Sequence, residues 1–247
     1  MIPKIIHYCW FGRKQKNELA VKCIASWKEI LPDYTLMEWN ETNFDYKKLK
    51  FTKQAYHIGK YAFVADVARL YALANFGGIY LDTDVEVLKS FDELLYLPAF
   101  IGYEHSCPTR EEIGTAVIGA GKGNSIITEF LNYYDRQVFI LDNGEYNTTP
   151  NVAIITKLLS QKGISLNNQY YNYNNTLSIF PVDYFSPKNY TGATLITDRT
   201  FCIHHFSASW CRQIPAKHRW IVNIIGEDNY FRLGKIRNKL LKNLIHH

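Results

Sequence analysis

The chain has 247 residues, of which 47% are hydrophobic, and a formal net charge of +5 at pH 7. This length and composition favour a globular α/β protein with one continuous core. No apolar run approaches the roughly 18 residues of a membrane-spanning helix, and the mild positive charge comes without a nucleic-acid motif, so we expect neither a transmembrane segment nor a nucleic-acid partner.

The N-terminus and the cysteines both bear on the cellular compartment. The first residues, Met1–His7, form a short β-like run without the basic and apolar regions of a secretion signal. The five cysteines are scattered and lack a C-x-x-C pair, which favours neither a disulfide framework nor a structural zinc site; they are Cys9, Cys23, Cys107, Cys202 and Cys211. We therefore predict a cytoplasmic protein in a reducing compartment.

Strand-like and helix-like segments alternate along the chain. Their hydrophobic periodicity predicts a strand over 3–8, a helix over 14–30, a strand over 34–39, a helix over 61–76, strands over 79–81, 99–103 and 115–118, helices over 125–141 and 152–161, and a strand over 201–205. Segment 167–175, rich in Asn and Tyr, is predicted to be a surface loop. This order indicates a mixed sheet covered by helices.

The C-terminal stretch has a basic amphipathic pattern. Residues 230–244 contain five basic and no acidic residues, interleaved with leucine and isoleucine. Such a helix attaches to an anionic membrane surface or packs its leucines on the domain, and the second use is the commoner one. We expect a single domain over 1–247 that ends in this helix at about 230–245, with both uses open.

Asp82 and Asp84 follow the apolar strand 79–81 and lie two residues apart, so in an extended backbone both side chains project to the same side. Carboxylate oxygens suit Mg²⁺ or Mn²⁺, which proteins usually hold together with substrate phosphates. The alternatives are a polar turn, or a phosphatase of the haloacid dehalogenase type with Asp82 as nucleophile. An EF-hand loop fails because Val87 occupies its glycine position.

Three sequence blocks resemble glycosyltransferase family 32. The central one runs unbroken from Asp66 to Asp84 and contains a helix, the pair Gly77-Gly78, a strand and the D-x-D motif. The opening segment 2–12 and the closing segment 202–210, which has histidines followed by Ser-Trp, are similar to the same family. The resemblance implies a GT-A type fold, which is a single α/β domain with a Rossmann-like mixed sheet flanked by helices.

The resemblance also implies roles for individual residues. Asp82 and Asp84 would hold Mn²⁺ or Mg²⁺ on the donor diphosphate, and His204 would complete the metal shell or bind a phosphate oxygen. Strand alternation would point His205 the other way. Asp66 would bind the donor sugar and Arg69 the sugar or diphosphate, although a helical salt bridge explains this pair as well. Asp66, Arg69 and Asp84 are the predicted catalytic residues.

On the nucleotide side, Trp10 would stack on the base with His7 on the ribose or base, and Ser209 and Trp210 would donate hydrogen bonds to the diphosphate. Core packing is the alternative for His7 and for both tryptophans. The segment Thr148–Asn151 lacks the glycine that many relatives have there. We therefore assign no acceptor residue.

The predicted activity is a metal-dependent, retaining glycosyl transfer. The donor would be a nucleotide-diphosphate sugar, a UDP-sugar more than a GDP-sugar, and the acceptor a hydroxyl of a glycan or lipid-linked glycan, in cell-surface polysaccharide synthesis such as capsule or lipopolysaccharide. Location at the inner face of the membrane is compatible with this prediction. The rival functions are the phosphohydrolase and a non-catalytic nucleotide-sugar-binding module.

Overall fold

The computed structural model describes residues 1–104, 111–188 and 193–207. The strands in this part are β1 Ile5–Cys9, β2 Thr35–Trp39, β3 Gly78–Leu81, β4 Val85–Val87, β5 Ala99–Glu104, β6 Glu112–Ala120, β7 Tyr171–Tyr173, β8 Leu177–Phe180 and β9 Cys202–His204. The helices are α1 Glu18–Ile30, α2 Lys50–His57, α3 Tyr61–Phe76, α4 Ser125–Asn132, α5 Asn151–Gln161 and α6 Val182–Phe185. The predicted helix at 230–245 lies outside the described residues.

The strands form one seven-stranded mixed sheet and one small sheet. The order in the large sheet is β2-β1-β3-β6-β5-β8-β7, with β1 parallel to both β2 and β3, and β5 parallel to β8. The other pairs in this sheet are antiparallel. The small sheet pairs β4 with β9 in antiparallel orientation. Strand β3 therefore lies in the interior of the large sheet, between β1 and β6.

Each face of the large sheet is covered by its own apolar layer. Alternate sheet residues such as Tyr80 and Ile118 pack with the apolar residues of α2, α3, α4 and α5. Their neighbours Ile79 and Val117 pack on the opposite face with α1, β4 and α6. The prediction of an α/β fold with a mixed sheet and flanking helices is confirmed. None of the described helices combines the length and the apolar character needed to cross a bilayer.

Two predicted elements need correction. The helix predicted over 125–141 ends at Asn132 and gives way to a 3-10 turn. Beyond it, the backbone amides of Phe139 and Ile140 both donate to Gln54 Oε1 of α2, at 2.9 and 3.1 Å. This long-range contact satisfies the amides outside a helix, so tertiary structure overrides local propensity.

The predicted loop 167–175 contains strand β7, which forms a hairpin with β8. The turn is made by Asn174 and Asn175, both with positive φ, at 47° and 52°. Asparagine tolerates this left-handed conformation, and two such residues in a row give the turn that matches the twist of a hairpin. The Asn-Asn pair is therefore the sequence signal for this hairpin.

A buried histidine braces the junction between α3 and β3. Trp39 Nε1–H donates to His7 Nδ1 at 3.1 Å, so the proton of the neutral ring lies on Nε2, which donates to the Gly77 carbonyl at 2.7 Å. The next residue, Gly78, has a φ of +119°. A Cβ there would lie 2.7 Å from the Ile5 carbonyl oxygen and 2.9 Å from His7 Nε2. Only glycine fits between β1 and β3 at this point.

We expect Gly78→Ala to lower the free energy of unfolding by at least about 3 kcal/mol, because it combines a strained backbone with two close contacts. Gly59→Ala is the matched control, since Gly59 also has a positive φ of +72° but nothing within 4 Å of an added Cβ. The control should cost only about 1 to 2 kcal/mol. Urea unfolding measures both variants, and equal losses would contradict the close approach.

The pKa of His7 gives a second prediction. Burial lowers this pKa below the usual 6.5, although the bond to Gly77 raises it. Below pH 6.5 the unfolded chain takes up a proton that folded His7 does not, so this residue makes the free energy of unfolding fall with acidification. NMR of the ring nitrogens, assigned with His7→Gln, should show the neutral Nε2–H form at pH 6.5. A half-protonated ring at that pH would contradict the two hydrogen bonds assigned to neutral His7.

Candidate functional site

The two aspartates of the D-x-D motif lie where the central strand β3 leaves the large sheet. Asp82 N–H still donates to the Ala116 carbonyl of β6 at 2.8 Å, and Val85 N–H then closes a turn on the Asp82 carbonyl at 3.0 Å. The chain continues as β4, whose Val85 is in register with His204 of β9. This pairing brings a histidine from a distant part of the sequence beside the motif.

Asp82, Asp84 and His204 form a cluster suited to a cation. Each offers one ligand atom, and these atoms all lie within 4.8 Å of one another. His204 Nε2 is 3.5 Å from Asp84 Oδ1, and Ser207 N–H donates to Asp84 Oδ2 at 2.8 Å. Two carboxylates and an imidazole leave further positions open for phosphate oxygens, as expected for Mn²⁺ or Mg²⁺.

The charges in this cluster are coupled. Burial alone would raise the pKa of Asp84, but His204 and the hydrogen bonds from Ser207 hold it well below its usual value. Burial would likewise lower the pKa of His204, but Asp84 raises it to about 9. Without a cation His204 therefore carries a proton at neutral pH. A bound metal ion would take the place of that proton.

Arg69 connects the cluster to helix α3. Its Nη2 lies 3.0 Å from Asp66 Oδ1, one helical turn away, and 3.2 Å from Asp82 Oδ1. Its Nη1 donates to Thr115 on β6, at 2.6 Å to the carbonyl and 3.1 Å to the hydroxyl. The guanidinium also lies over the Tyr80 ring at 4.6 Å. The side chain is only 6% exposed, so these partners hold it in one orientation.

Asp82 and Asp66 differ in how they are held. Tyr80 O–H donates to Asp82 Oδ1 at 2.7 Å, and burial raises the pKa of this phenol, so it remains a donor. Burial also raises the pKa of Asp66 to about 6, because the nearby Arg69, which lowers it, does not offset the desolvation. Asn151 at the start of α5 donates to the Asp66 carbonyl at 3.1 Å. Asp66 thus occupies a rigid and nearly dry position.

Other predicted site residues lie apart from this cluster or outside the described chain. Both ring nitrogens of His7 are occupied inside the core, as described above, and the residue has no exposed surface. His205 Nε2 is 2.8 Å from Glu86 Oε2, and neither side chain is part of the Asp82–Asp84–His204 cluster. Trp10 is half-buried at the end of β1, with its indole N–H donating to the Lys14 carbonyl at 2.6 Å. Ser209 and Trp210 lie outside the described residues.

Sequence reasoning missed several members of this network. Tyr80 precedes Asp82 by two positions on the same strand, so strand alternation could have indicated their contact. Thr115 and the backbone N–H of Ser207 carried no such signal, because their contacts depend on strand pairing. Asn151 belongs to the segment without the family's glycine, and its position in the sequence predicts no role for it. In the structure its side-chain amide joins the start of α5 to Asp66 of α3.

Residues 17–100 match the family model described as a glycosyltransferase sugar-binding region containing a DXD motif. The matched region includes both charged pairs of the site, Asp66 with Arg69 and Asp82 with Asp84. This part of the chain is therefore similar to the sugar-binding region of the DXD glycosyltransferases. The predicted resemblance to glycosyltransferase family 32 is confirmed.

The chain is also similar to parts of several characterised proteins. Inositol phosphoceramide mannosyltransferase 3 of Schizosaccharomyces pombe is 30% identical over 149 residues, which are 56% of this chain and 38% of that protein. Glucan organizing enzyme 1 of Cryptococcus neoformans is 46% identical over 81 residues, 30% of this chain and 22% of that protein. Among solved structures, the PaToxG glycosyltransferase is 24% identical with a TM-score of 0.49, covering 65% of this chain and 70% of that one. The chain thus spans well under half the length of these two curated relatives.

We expect Arg69→Met to lower the free energy of unfolding by about 3 to 5 kcal/mol, because it leaves two carboxylates without their cation. Thr115→Val removes one hydroxyl acceptor and keeps the carbonyl, so it should cost only about 1 kcal/mol. Urea unfolding at pH 7 without metal compares the two variants. Equal costs would show that the ion pairs do not hold this part of the fold.

Proposed function

We propose that this protein is a metal-dependent glycosyltransferase that transfers a sugar from a nucleotide-diphosphate donor to a hydroxyl acceptor. The observation that carries the proposal is the meeting of two charged groups at the end of β3. Asp82 belongs to the Asp82–Asp84–His204 cluster, and its Oδ1 also lies 3.2 Å from Nη2 of Arg69 in the Asp66–Arg69 pair. The matched sugar-binding region supports a donor sugar as the ligand of this site.

The metal would be held by Asp82, Asp84 and His204, together with the two phosphates of the donor. Two carboxylates suit either Mg²⁺ or Mn²⁺, and the imidazole favours Mn²⁺, which accepts nitrogen ligands more readily. When bound, this ion supplies Lewis-acid stabilisation of the charge on the leaving diphosphate. The three side chains lie in a largely buried site, where such electrostatic stabilisation is stronger than in water.

Arg69 and Asp66 would serve the sugar side of the donor. Arg69 is held on Thr115, Asp66 and Asp82, so its charge is fixed before the donor binds and needs no reorganisation when the glycosidic bond breaks. Asp66 offers carboxylate oxygens to sugar hydroxyls, which are good donors to such acceptors. Trp10 would stack on the base through its ring, since its N–H is already bonded to Lys14. Ser209 and Trp210 would add donors to the diphosphate.

The transfer would retain the anomeric configuration, as the family resemblance implies, by attack of the acceptor hydroxyl on the same face as the leaving diphosphate. The names of two relatives point to different glycans, since one is a mannosyltransferase acting on inositol phosphoceramide and the other a glucan organizing enzyme. A glycan or lipid-linked glycan is therefore the proposed acceptor. Mannose is the first donor sugar to test, alongside the UDP-sugars favoured by the sequence analysis.

The first test is thermal stabilisation by donor and metal. A ligand at 100 times its Kd adds about 2.7 kcal/mol to the free energy of unfolding, which for a chain of this size raises Tm by roughly 5 to 10 °C. We expect such a shift with Mn²⁺ plus either UDP-sugars or GDP-mannose, and its loss with EDTA. No shift with any nucleotide would contradict the proposal. Phosphate release without sugar transfer would indicate the phosphohydrolase instead.

Two matched pairs of variants locate the site. Asp84→Asn and His204→Gln remove proposed metal ligands, so we expect at least about a 100-fold loss of Mn²⁺ affinity and of sugar transfer. Loss of a residue that only hydrogen-bonds to a metal ligand already lowers affinity or activity by about 10- to 100-fold. Glu86→Gln and His205→Gln alter a neighbouring pair whose side chains bond to each other and are not part of the cluster. These controls should keep both properties. Equal losses in controls and site variants would show that the substitutions act by disturbing the β4–β9 pairing and not by removing metal ligands.

A further inference from the structure

One nitrogen of His204 is unexplained by the metal cluster. Nε2 faces Asp84, whereas Nδ1 is buried and has no hydrogen-bond partner among the described residues. If Nε2 gives its lone pair to a metal ion, the neutral ring carries its proton on Nδ1. A buried N–H without an acceptor costs about 1 to 3 kcal/mol. Histidines that bind metals almost always donate this second N–H to a carboxylate, a carbonyl or a water.

A pocket beside His204 contains groups that could accept this proton. Its lining includes His204, Glu104 and Ser186, and it has room for about one water molecule. Ser186 is 5% exposed, and its hydroxyl also has no hydrogen-bond partner in the described part of the chain. Two unsatisfied polar groups and a carboxylate therefore surround one cavity. A single water molecule, which needs about two to four polar partners, fits these conditions.

The strand β6 leaves room for the carboxylate in this pocket. Glu104 ends β5, and Gly114 on the neighbouring strand also lines the pocket. A Cβ at residue 114 would lie 2.8 Å from Glu104 Oε2 and 3.1 Å from Glu104 Cβ. Glycine at this position thus lets the Glu104 side chain lie against β6. Glu104 is also close enough to act electrostatically on His204, whose pKa it raises after the larger effect of Asp84.

We propose that a water molecule in this pocket accepts the Nδ1–H of His204 and donates to Glu104 and Ser186, so that the three groups position His204 as a metal ligand. The inference rests on the proposed metal site and deepens it. The water fixes which nitrogen carries the proton and the orientation of the ring, with Nε2 directed at Asp82 and Asp84. Glu104 and Ser186 are positioning residues, because they act on the metal only through His204.

The test measures Mn²⁺ affinity by electron paramagnetic resonance, without nucleotide or acceptor. We expect Ser186→Ala and Glu104→Gln each to weaken binding by about 10- to 100-fold, the usual effect of losing such a partner. Ser186→Thr keeps the hydroxyl and should keep most of the affinity. Ser178→Ala is the control, since Ser178 is also a buried serine, lies on β8 and does not line the pocket. Thermal unfolding in EDTA checks that all variants are folded.

The outcomes separate this inference from the proposed function. If the wild type binds Mn²⁺ and the Ser186 and Glu104 variants bind it equally well, the proposed water bridge is wrong and the proposed metal site is supported. If the wild type binds no Mn²⁺, both are wrong. The wild type gives a second measurement that needs no variant: with diamagnetic Zn²⁺, NMR should show His204 bound through Nε2 with a slowly exchanging Nδ1 proton. Binding through Nδ1 would overturn the inference.

Discussion

The buried guanidinium of Arg69 joins three parts of the structure that are separate in sequence or in the sheet. It meets Asp66 on its own helix, Asp82 at the end of β3 and Thr115 on β6. A buried charge is costly without partners, so the helix face, the strand end and the neighbouring strand must keep these distances for the fold to be stable. The same requirement holds Asp66 and Asp82 at a fixed separation. A stability constraint thereby sets the geometry of the proposed donor site.

The second constraint is the balance of charge around the D-x-D motif. Three carboxylates, Asp66, Asp82 and Asp84, lie near one guanidinium and one imidazole, so a divalent cation would bring the group closer to neutrality. In its absence the raised pKa of His204, about 9, supplies a proton as a partial substitute. Metal binding and the protonation of His204 are therefore linked. The small β4–β9 sheet is essential here, because its register delivers the histidine to Asp84.

Local signals gave reliable predictions where a segment makes its backbone hydrogen bonds within itself. Helix α3 has the predicted limits of 61 and 76, since an apolar run followed by Gly77-Gly78 both forms a helix and ends it. The predicted helix over 125–141 was too long, because the backbone amides of Phe139 and Ile140 donate hydrogen bonds to Gln54, which is distant in sequence. The Asp66–Arg69 pair shows both a local contact and long-range contacts. Its spacing predicts a helical salt bridge, which exists, but the same arginine also reaches Asp82 and Thr115.

The sequence by itself determined the central block of the site, because α3, the glycine pair, β3 and both aspartates are consecutive and each follows from local backbone preferences. It also indicated the family of the sugar-binding region, since that block is contiguous. Only the tertiary structure decided which groups surround the aspartates. The contacts of His204 with Asp84 and of Thr115 with Arg69, and the pocket shared by Glu104 and Ser186, arise from strand order and register. Such pairings depend on how the whole sheet buries its two faces, and no local pattern encodes them.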